Sequence, residues 1–548
     1  MSTAAATQQQ VVSAWAPFSQ RAFLLLWSAT LISNTGTWMN DVGAGWLMTT
    51  LNPSPAVVSL VQAATTLPIF LFALLAGTLA DRLDKRRLLV TINIILCVVA
   101  VLMAWLVSQQ AMTPVLLIAF TFLLGTGAAF IAPAWQAVVP ELVPRQQLAP
   151  AIALNSMGIN VSRAIGPALA GLLITVVGLS SPFFVNAVSY LVIILVLLAW
   201  KPAAKKATRL PPEPLIPAMI TGLRHVRHNG PFKGALLRAL SYFLFASAFW
   251  ALLPLIARQL PGDGAGLYGL LLAAVGSGAV AGALLLPKLR PHLNAQHTVA
   301  LGVVLTAAAM MLLGVTTHPN AALVASVLAG LGWITVLTSL NVSAQTALPS
   351  WVRARGLSVF LMVFFGSMAV GSVIWGQVAQ QFSVSAALIA AAITALIALA
   401  CSHRVALTPA EELDLAPSSH WPQPLVQGAE EDQYDRGPVM ISITYHVLEQ
   451  HTAAFLTAVQ QLSGERYRDG AFQWGIFQQS ENPRLWVESF QVSSWAEHLR
   501  QHDRVTQSDR KLQEQVRLYH HGDKPPVVEH WLAPGPDALV QPTIERPK

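Results

Sequence analysis

Acidic side chains are nearly missing from the first three-quarters of this 548-residue chain. Up to Ser402 only Asp41, Asp81, Asp84, Glu141, Glu213 and Asp263 occur, and the other twenty of 26 lie beyond. Charged residues of both signs make up 11% of the chain and hydrophobic residues 54%; an ordinary soluble protein is about 25% charged. A soluble enzyme is thereby excluded, and a polytopic membrane protein is expected. Cysteine is scarce too: Cys97 and Cys401 both fall inside apolar runs, so no disulfide framework or cysteine metal site is available. Residues 1–20 lack the charged start and small-residue cleavage site of a signal peptide, so the first apolar span is expected to be retained. The formal net charge is +7, but it reflects mostly basic loops facing an anionic membrane surface, and nucleic acid is not an expected partner.

What is present in quantity is apolar length. Runs near 22–50, 56–80, 88–107, 114–138, 150–178, 182–200, 237–258, 266–287, 297–316, 320–346, 357–380 and 384–402 are each of the size that crosses a bilayer, for which about 20 residues are needed. The reading is therefore an all-α polytopic membrane protein with twelve transmembrane helices in two six-helix halves. The even-numbered loops hold Arg82, Lys85, Arg86, Arg87, Arg145, the cluster from Lys201 to Lys233, Lys288, Arg290, Arg353 and Arg355, whereas the odd-numbered loops hold only Arg258. Basic loops stay inside, so both termini are expected in the cytoplasm. The basic stretch 201–236, with Pro211, Pro212, Pro214 and Pro217, reads as a cytoplasmic linker between an N-terminal half, 1–200, and a C-terminal half, 237–405. Gln136-x-x-x-Pro140-x-x-Val143 recurs 209 residues on as Gln345-x-x-x-Pro349-x-x-Val352, the kind of internal repeat that transporter halves show.

The stretch Gly77-Thr-Leu-Ala-Asp81-Arg82-Leu-Asp84-Lys85-Arg86-Arg87 concentrates six charges in its last seven residues, between two spans with almost none. It resembles motif A of the major facilitator superfamily, with Asp84 standing where that family usually has a second glycine. Gly158, Gly166-Pro167 and Gly171 resemble motif C of the superfamily's exporters; physically, the glycines permit close helix approach and the proline kinks the span. Joined to Gly125-x-Gly127-Ala-Ala-Phe130-x-x-Pro133-Ala-Trp-Gln136 and Pro140-Glu141-Leu-Val-Pro144-Arg145, the chain over about residues 15–405 resembles the enterobactin-exporter-like, transmembrane-secretion-effector group. The resemblance implies the major facilitator fold and a proton-coupled exporter of siderophore-like or drug-like small molecules in a bacterial inner membrane. It also implies a gating role for Gly77, Asp81, Arg82, Arg86 and Arg87, with Asp81 latching the start of the eleventh span near Arg353, Arg355 and Gly356. The fourth span has no counterpart of the arginine that motif B supplies to many proton antiporters.

A charged side chain inside a span is a functional candidate by default. Arg163 lies about 13 residues into the fifth span, roughly 20 Å deep, on a face with Ser156, Asn160, Pro167 and Gly171. It either lines a cavity or is tied to backbone carbonyls as a packing element. Asp41 shares a face of the first span with Asn34 and Trp38, either as a titrating proton site or as a solvated carboxylate near the outer mouth. The candidate transport cavity is thus Asn34, Trp38, Asp41, Ser156, Asn160 and Arg163. Trp38, Trp46, Trp135, Trp250, Trp333 and Trp375 are expected mostly in interfacial belts, or else in a cavity suited to a bulky aromatic or amphipathic solute.

Beyond a Pro-rich tether, 406–437, the residues 438–533 carry soluble patterning in the order strand, helix, strand, strand, helix, strand, followed by a tail, 534–548. This is a split α+β ferredoxin-like pattern, and it resembles the dimeric α/β-barrel domains of the antibiotic-biosynthesis-monooxygenase type. That resemblance implies a homodimer through this domain, and leaves open a membrane-tethered monooxygenase or haem-handling enzyme whose spans only anchor it. Twelve spans with polar stripes exceed what an anchor needs. His498 and His502 stand at metal-compatible spacing but have no Cys, Asp or Glu at ligand spacing, so a solvated helix face is expected. Neither catalytic residues, a metal site nor a cofactor is assigned.

Overall fold

The computed structural model describes residues 13–201, 215–262, 264–289, 292–349, 351–402 and 436–533, with residues 405, 407, 414, 415, 418 and 421. Contacts divide the chain into two compact units. One takes residues up to 211 with 236–342 and 358–406; the other takes 212–235, 343–357 and 407 onward.

The helices run in chain order as α1 (Arg21–Leu51), α2 (Pro55–Arg82), α3 (Lys85–Ser108), α4 (Pro114–Val138), α5 (Leu148–Val176), α6 (Ser181–Ala199), α7 (Leu215–His228), α8 (Gly230–Gln259), α9 (Gly264–Leu289), α10 (Ala295–Val315), α11 (Pro319–Thr346), α12 (Arg353–Gln381) and α13 (Val384–Ser402). Among the described residues eleven, α2–α6 and α8–α13, are long and apolar enough to cross a membrane, by length and composition only. Twelve were expected. The helix at the first expected span, α1, has 31 residues but carries Ser28, Thr30, Ser33, Asn34, Thr35, Thr37, Asn40 and Asp41, which set it apart from the other eleven. Large apolar side chains such as Leu71, Val98, Trp105, Val176 and Leu195 are exposed on the outside of the helices, the surface a bilayer would cover.

Small residues set how closely these helices approach. A Cβ on Gly269 of α9 would lie 2.7 Å from the Pro167 carbonyl oxygen and 2.8 Å from the Gly171 Cα, both on α5. Farther along the same pair of helices, a Cβ on Gly276 would lie 2.7 Å from the Ala164 Cα. Between α2 and α12, Gly366 faces the Phe70 ring and Ser54 Oγ donates to Gln380 Oε1 at 2.7 Å. The two sets of six helices therefore meet along α5–α9 and α2–α12.

The stretch expected to be a linker contains α7, so α8 begins at Gly230 rather than near 237; residues 202–214 lie outside those described. Helix α7 belongs to the second unit, where Arg224 Nη1 donates to Gly470 O at 2.8 Å and the His228 ring stacks on Tyr467. The same unit holds β1 (Val439–His446), α14 (Thr452–Arg468), β2 (Phe472–Gln478), β3 (Leu485–Val492), α15 (Trp495–Arg504), α16 (Gln507–Arg517) and β4 (Val527–Leu532). The antiparallel sheet runs β2-β3-β1-β4. Its period-two pattern buries Val439, Ile441, Ile443 and Tyr445 of β1 against Phe455, Val459 and Leu462 of α14. The segment 495–518, expected to hold one or two helices, holds two, and α16 opens with a capping box made by Thr506 and Asp509. Most of the tether, 406–437, and the tail beyond 533 lie outside the described residues.

The α5–α9 contact generates a prediction. Gly269→Val should destabilise the first unit by about 1–3 kcal/mol, the usual cost of overpacking, whereas Gly230→Ala, whose Cβ meets nothing within 4 Å, should be neutral. Thermal unfolding of the two variants in detergent, followed by size exclusion, makes the comparison.

Candidate functional site

Helices from both halves of the first unit enclose a cavity of about 260 Å³. Helix α1 contributes Trp38 and Asp41, α2 contributes Gln62, Thr65 and Thr66, and α5 contributes Arg163; from the other half come Trp250, Tyr268, Trp333, Phe364, Phe365 and Met368. A second cavity of about 350 Å³ lies within the first half, walled by Asn34, Asn93, Thr121, Trp135, Asn186 and Tyr190 among others. Trp38, Asp41 and Thr65 belong to both walls, so the two spaces adjoin at the polar face of α1. Asp41 is the acidic side chain in either wall among the described residues.

The guanidinium carbon of Arg163 lies 5.5 Å from the centroid of the Trp38 ring, a cation–π distance, and its buried Nε has no hydrogen-bond partner. An orphaned donor facing an aromatic cavity suits an anionic or carbonyl-bearing solute. Gly166 explains how Trp38 comes to be there: a Cβ on Gly166 would lie 2.7 Å from the Trp38 Cβ, so glycine lets α5 and α1 close up.

The stripe expected on α5 divides. Arg163 reaches the cavity, but Ser156 is exposed, and Asn160 turns its amide back to donate to the Ser156 carbonyl at 2.9 Å; neither is in the wall of either cavity. Helical spacing placed these residues on one face, whereas at the start of α5 the neighbour is different: Gly158 packs on the Trp27 indole, and Gly171 packs on Gly269. Asn34 lies in the wall of the second cavity and Asp41 in the walls of both. Of the tryptophans, Trp38, Trp250 and Trp333 wall the first cavity, Trp135 donates to Asn155 Oδ1 in the second, Trp375 is buried and donates to Leu244 O, and Trp46 packs on Gly264 and Tyr268. Sequence reasoning passed over Gln62, Asn93 and Asn186. A polar side chain within an apolar run was the available signal.

At the charged hinge, Asp84 shows what a residue other than glycine does there. Its side chain caps α3 by accepting from the Arg87 N–H at 2.8 Å, and neither Leu83 nor Asp84 has a positive φ. Lys85 donates to Ala137 O and pairs with Glu141, and Arg86 donates to the Leu197 and Leu198 carbonyls at the end of α6, where a helix C-terminus favours a cation. Arg87 is exposed, and Gly77 faces Ser358 of α12. The side chains of Asp81 and Arg82 lie outside those described. In the second unit Arg353 donates from Nε to Leu348 O, Arg355 lies against Gly222 and Gly356 packs on Leu348.

The tail sheet carries its own cavity of about 300 Å³, between Trp421, Tyr445, Arg466, Phe490, Arg517 and the histidines 498, 502 and 530. The expectation of a solvated helix face at His498 and His502 is overturned. His498 is 2% exposed, on a helix whose Trp495 and Leu499 pack into the core of the sheet. Burial pushes His498 down to about 3, so its ring is neutral at ordinary pH, and burial lowers His530 as well. Arg466 is held by Glu488 at 3.0 Å, and Glu488 also accepts from the Tyr445 hydroxyl and the Trp474 indole.

Residues 12–536 match the family described as transmembrane secretion effector. The staphyloferrin A transporter of Staphylococcus aureus is 26% identical over 65% of this chain and 89% of its own length. The multidrug efflux pump Tap of Mycobacterium tuberculosis is 25% identical over 74% of this chain and 97% of its own. A bacterial homologue of the human lysosomal transporter Spinster, solved inward-facing, superposes with a TM-score of 0.57 over 71% of this chain and 97% of its own, at 16% identity.

Thiol labelling checks the cavity. With Cys97 and Cys401 replaced by alanine, cysteine at Gln62 or Thr65 should react with a small water-soluble thiol reagent, and cysteine at Leu172, exposed on the outer face, should not. No reaction at either Gln62 or Thr65 would mean the cavity is closed to water.

Proposed function

Because the chain belongs to the transmembrane secretion effector family of major facilitator transporters, we propose that it exports bulky amphipathic small molecules, siderophore-like or drug-like, by proton-coupled alternating access. It is a secondary transporter rather than an enzyme, and the reading of the spans as mere anchors lapses with that. The observation that carries the substrate class is the first cavity: an aromatic wall drawn from both halves, with one guanidinium whose Nε is unpartnered. Trp250, Trp333 and Phe364 offer ring faces to an aromatic or apolar body, and Arg163 offers charge to a carboxylate or catecholate edge.

In this reading α1 is the twelfth span, and its polar stripe is the reason: it faces the cavities. Asp41 is the proton carrier, since it stands at the junction of both cavities where a solute and a proton compete for the same polar wall. The halves α1–α6 and α8–α13 rock about the glycine contacts of α5–α9 and α2–α12. Asp81 is the gating carboxylate that the motif A resemblance implies, and it favours the outward-open state. Both termini face the cytoplasm of a bacterial cell, and the tail unit is a ferredoxin-like regulatory or dimerising module.

Purified protein in proteoliposomes tests this with a panel of catecholate, hydroxycarboxylate and cationic drug-like solutes under an imposed pH gradient. Arg163→Ala should lower transport of anionic solutes at least about tenfold, the loss of one charge-assisted contact. Asp41→Asn should abolish the response to the gradient while preserving solute exchange at equal pH; gradient-driven transport in Asp41→Asn would remove it as the carrier. Asp81→Asn should raise the inward-open population in a cysteine-accessibility assay, and unchanged populations would free Asp81 of the latch role.

A further inference from the structure

Three histidines of the tail unit are left unused by the transport reading. Helix α15 sets His498 and His502 one turn apart on the same face, their ring centroids 4.8 Å apart. The neighbouring strand β4 brings in His530, opposite Ile441 of β1, with its ring 4.6 Å from that of His498. Each side chain offers one ring nitrogen, and the three nitrogens lie within 4.8 Å of one another. Tetrahedral coordination at metal–nitrogen distances of about 2.0–2.1 Å sets ligand nitrogens about 3.4 Å apart, so small side-chain rotations would close the set.

His498 gives the second, independent reason. It is buried, and neither ring nitrogen has a partner of hydrogen-bonding geometry, although Gln501 stands beside it. Burying an imidazole with both nitrogens unused costs free energy that a native protein normally recovers through a partner. A cation supplies that partner, and a neutral imidazole is the form that binds one. The charges around the cluster do not oppose it: Arg466, on the cavity wall, is neutralised by Glu488, and Arg517 faces the cavity, where it would favour an anionic fourth ligand.

We propose that His498, His502 and His530 form a three-histidine site for a divalent first-row cation, with Zn²⁺ its default occupant, whose fourth position opens into the tail cavity. Imidazole ligands suit Zn²⁺, Cu²⁺, Fe²⁺ and Ni²⁺ and disfavour Mg²⁺ and Ca²⁺. Three protein ligands and an open position describe an exchangeable centre rather than a closed structural one.

The test uses the full chain in detergent, purified without a polyhistidine tag, stripped with chelator and titrated with Co²⁺. The expected result is one Co²⁺ per chain, with the intense visible absorption of a low-coordinate site, displaced stoichiometrically by Zn²⁺ and not by Mg²⁺. His502→Gln and His530→Gln, neither fully buried, should each weaken binding at least about tenfold and abolish that absorption while still eluting as a monodisperse peak. His451→Gln with His521→Gln removes the exposed pair whose rings stack at 5.5 Å and should change nothing. Absence of stoichiometric binding, full binding by both ligand variants, or loss of the absorption in the His451/His521 variant would each overturn the site.

Discussion

Hydrocarbon cannot donate or accept a hydrogen bond, and the transport unit follows from that constraint. Backbone groups must be paired within each span, so the unit is built of long helices. Polar side chains are driven inside, where Asn93 donates to the Leu89 carbonyl and Thr65 to Val61, while Thr121, its buried hydroxyl without a partner, lines a cavity. With no hydrophobic drive between helices in lipid, association depends on close packing. That is the service of Gly166, Gly171, Gly269 and Gly276, whose missing side chains let backbones touch.

The same constraint makes the site. Side chains that lipid would penalise collect where the helices enclose space, and there Asp41, Gln62, Thr65 and Arg163 share walls with tryptophan and phenylalanine. Arg163 is half satisfied by the face of Trp38 and retains a free Nε. A buried donor without a partner is costly in a resting protein and useful in a binding one, because a solute that satisfies it recovers the cost.

Water governs the tail unit, and the economy there is different. Its core alternates with period two along β1 and β3, and its buried charges are paired: Arg466 with Glu488, Arg504 with Glu497, Arg468 with Asp469 and Asp509. Against that background of paired charges, both ring nitrogens of His498 are idle, whereas Trp486, Trp495 and Gln501 each leave one buried polar atom without a partner.

Apolar run length and loop charge were enough to read most of the helices, because a span must be long and apolar wherever it sits. α1 was legible as a run but not as different in kind, since its polar residues make sense only once the cavities they face are known. Strand periodicity set the order in which β1 to β4 follow one another among the tail helices, because a half-buried sheet imposes its alternation directly on the chain. By itself, then, the sequence determined the membrane class, the number of long apolar runs, the strand and helix order of the tail and the two charges to be explained within the early spans. Tertiary structure decided which of them meet. Helical spacing can put Ser156, Asn160 and Arg163 on one face, but only packing against α1 and α9 turns Arg163 inward and leaves Ser156 exposed. Likewise His530 is 28 residues from His502 in the chain, and only the pairing of β4 with β1 brings it to His498, because a sheet joins residues by register and not by sequence distance.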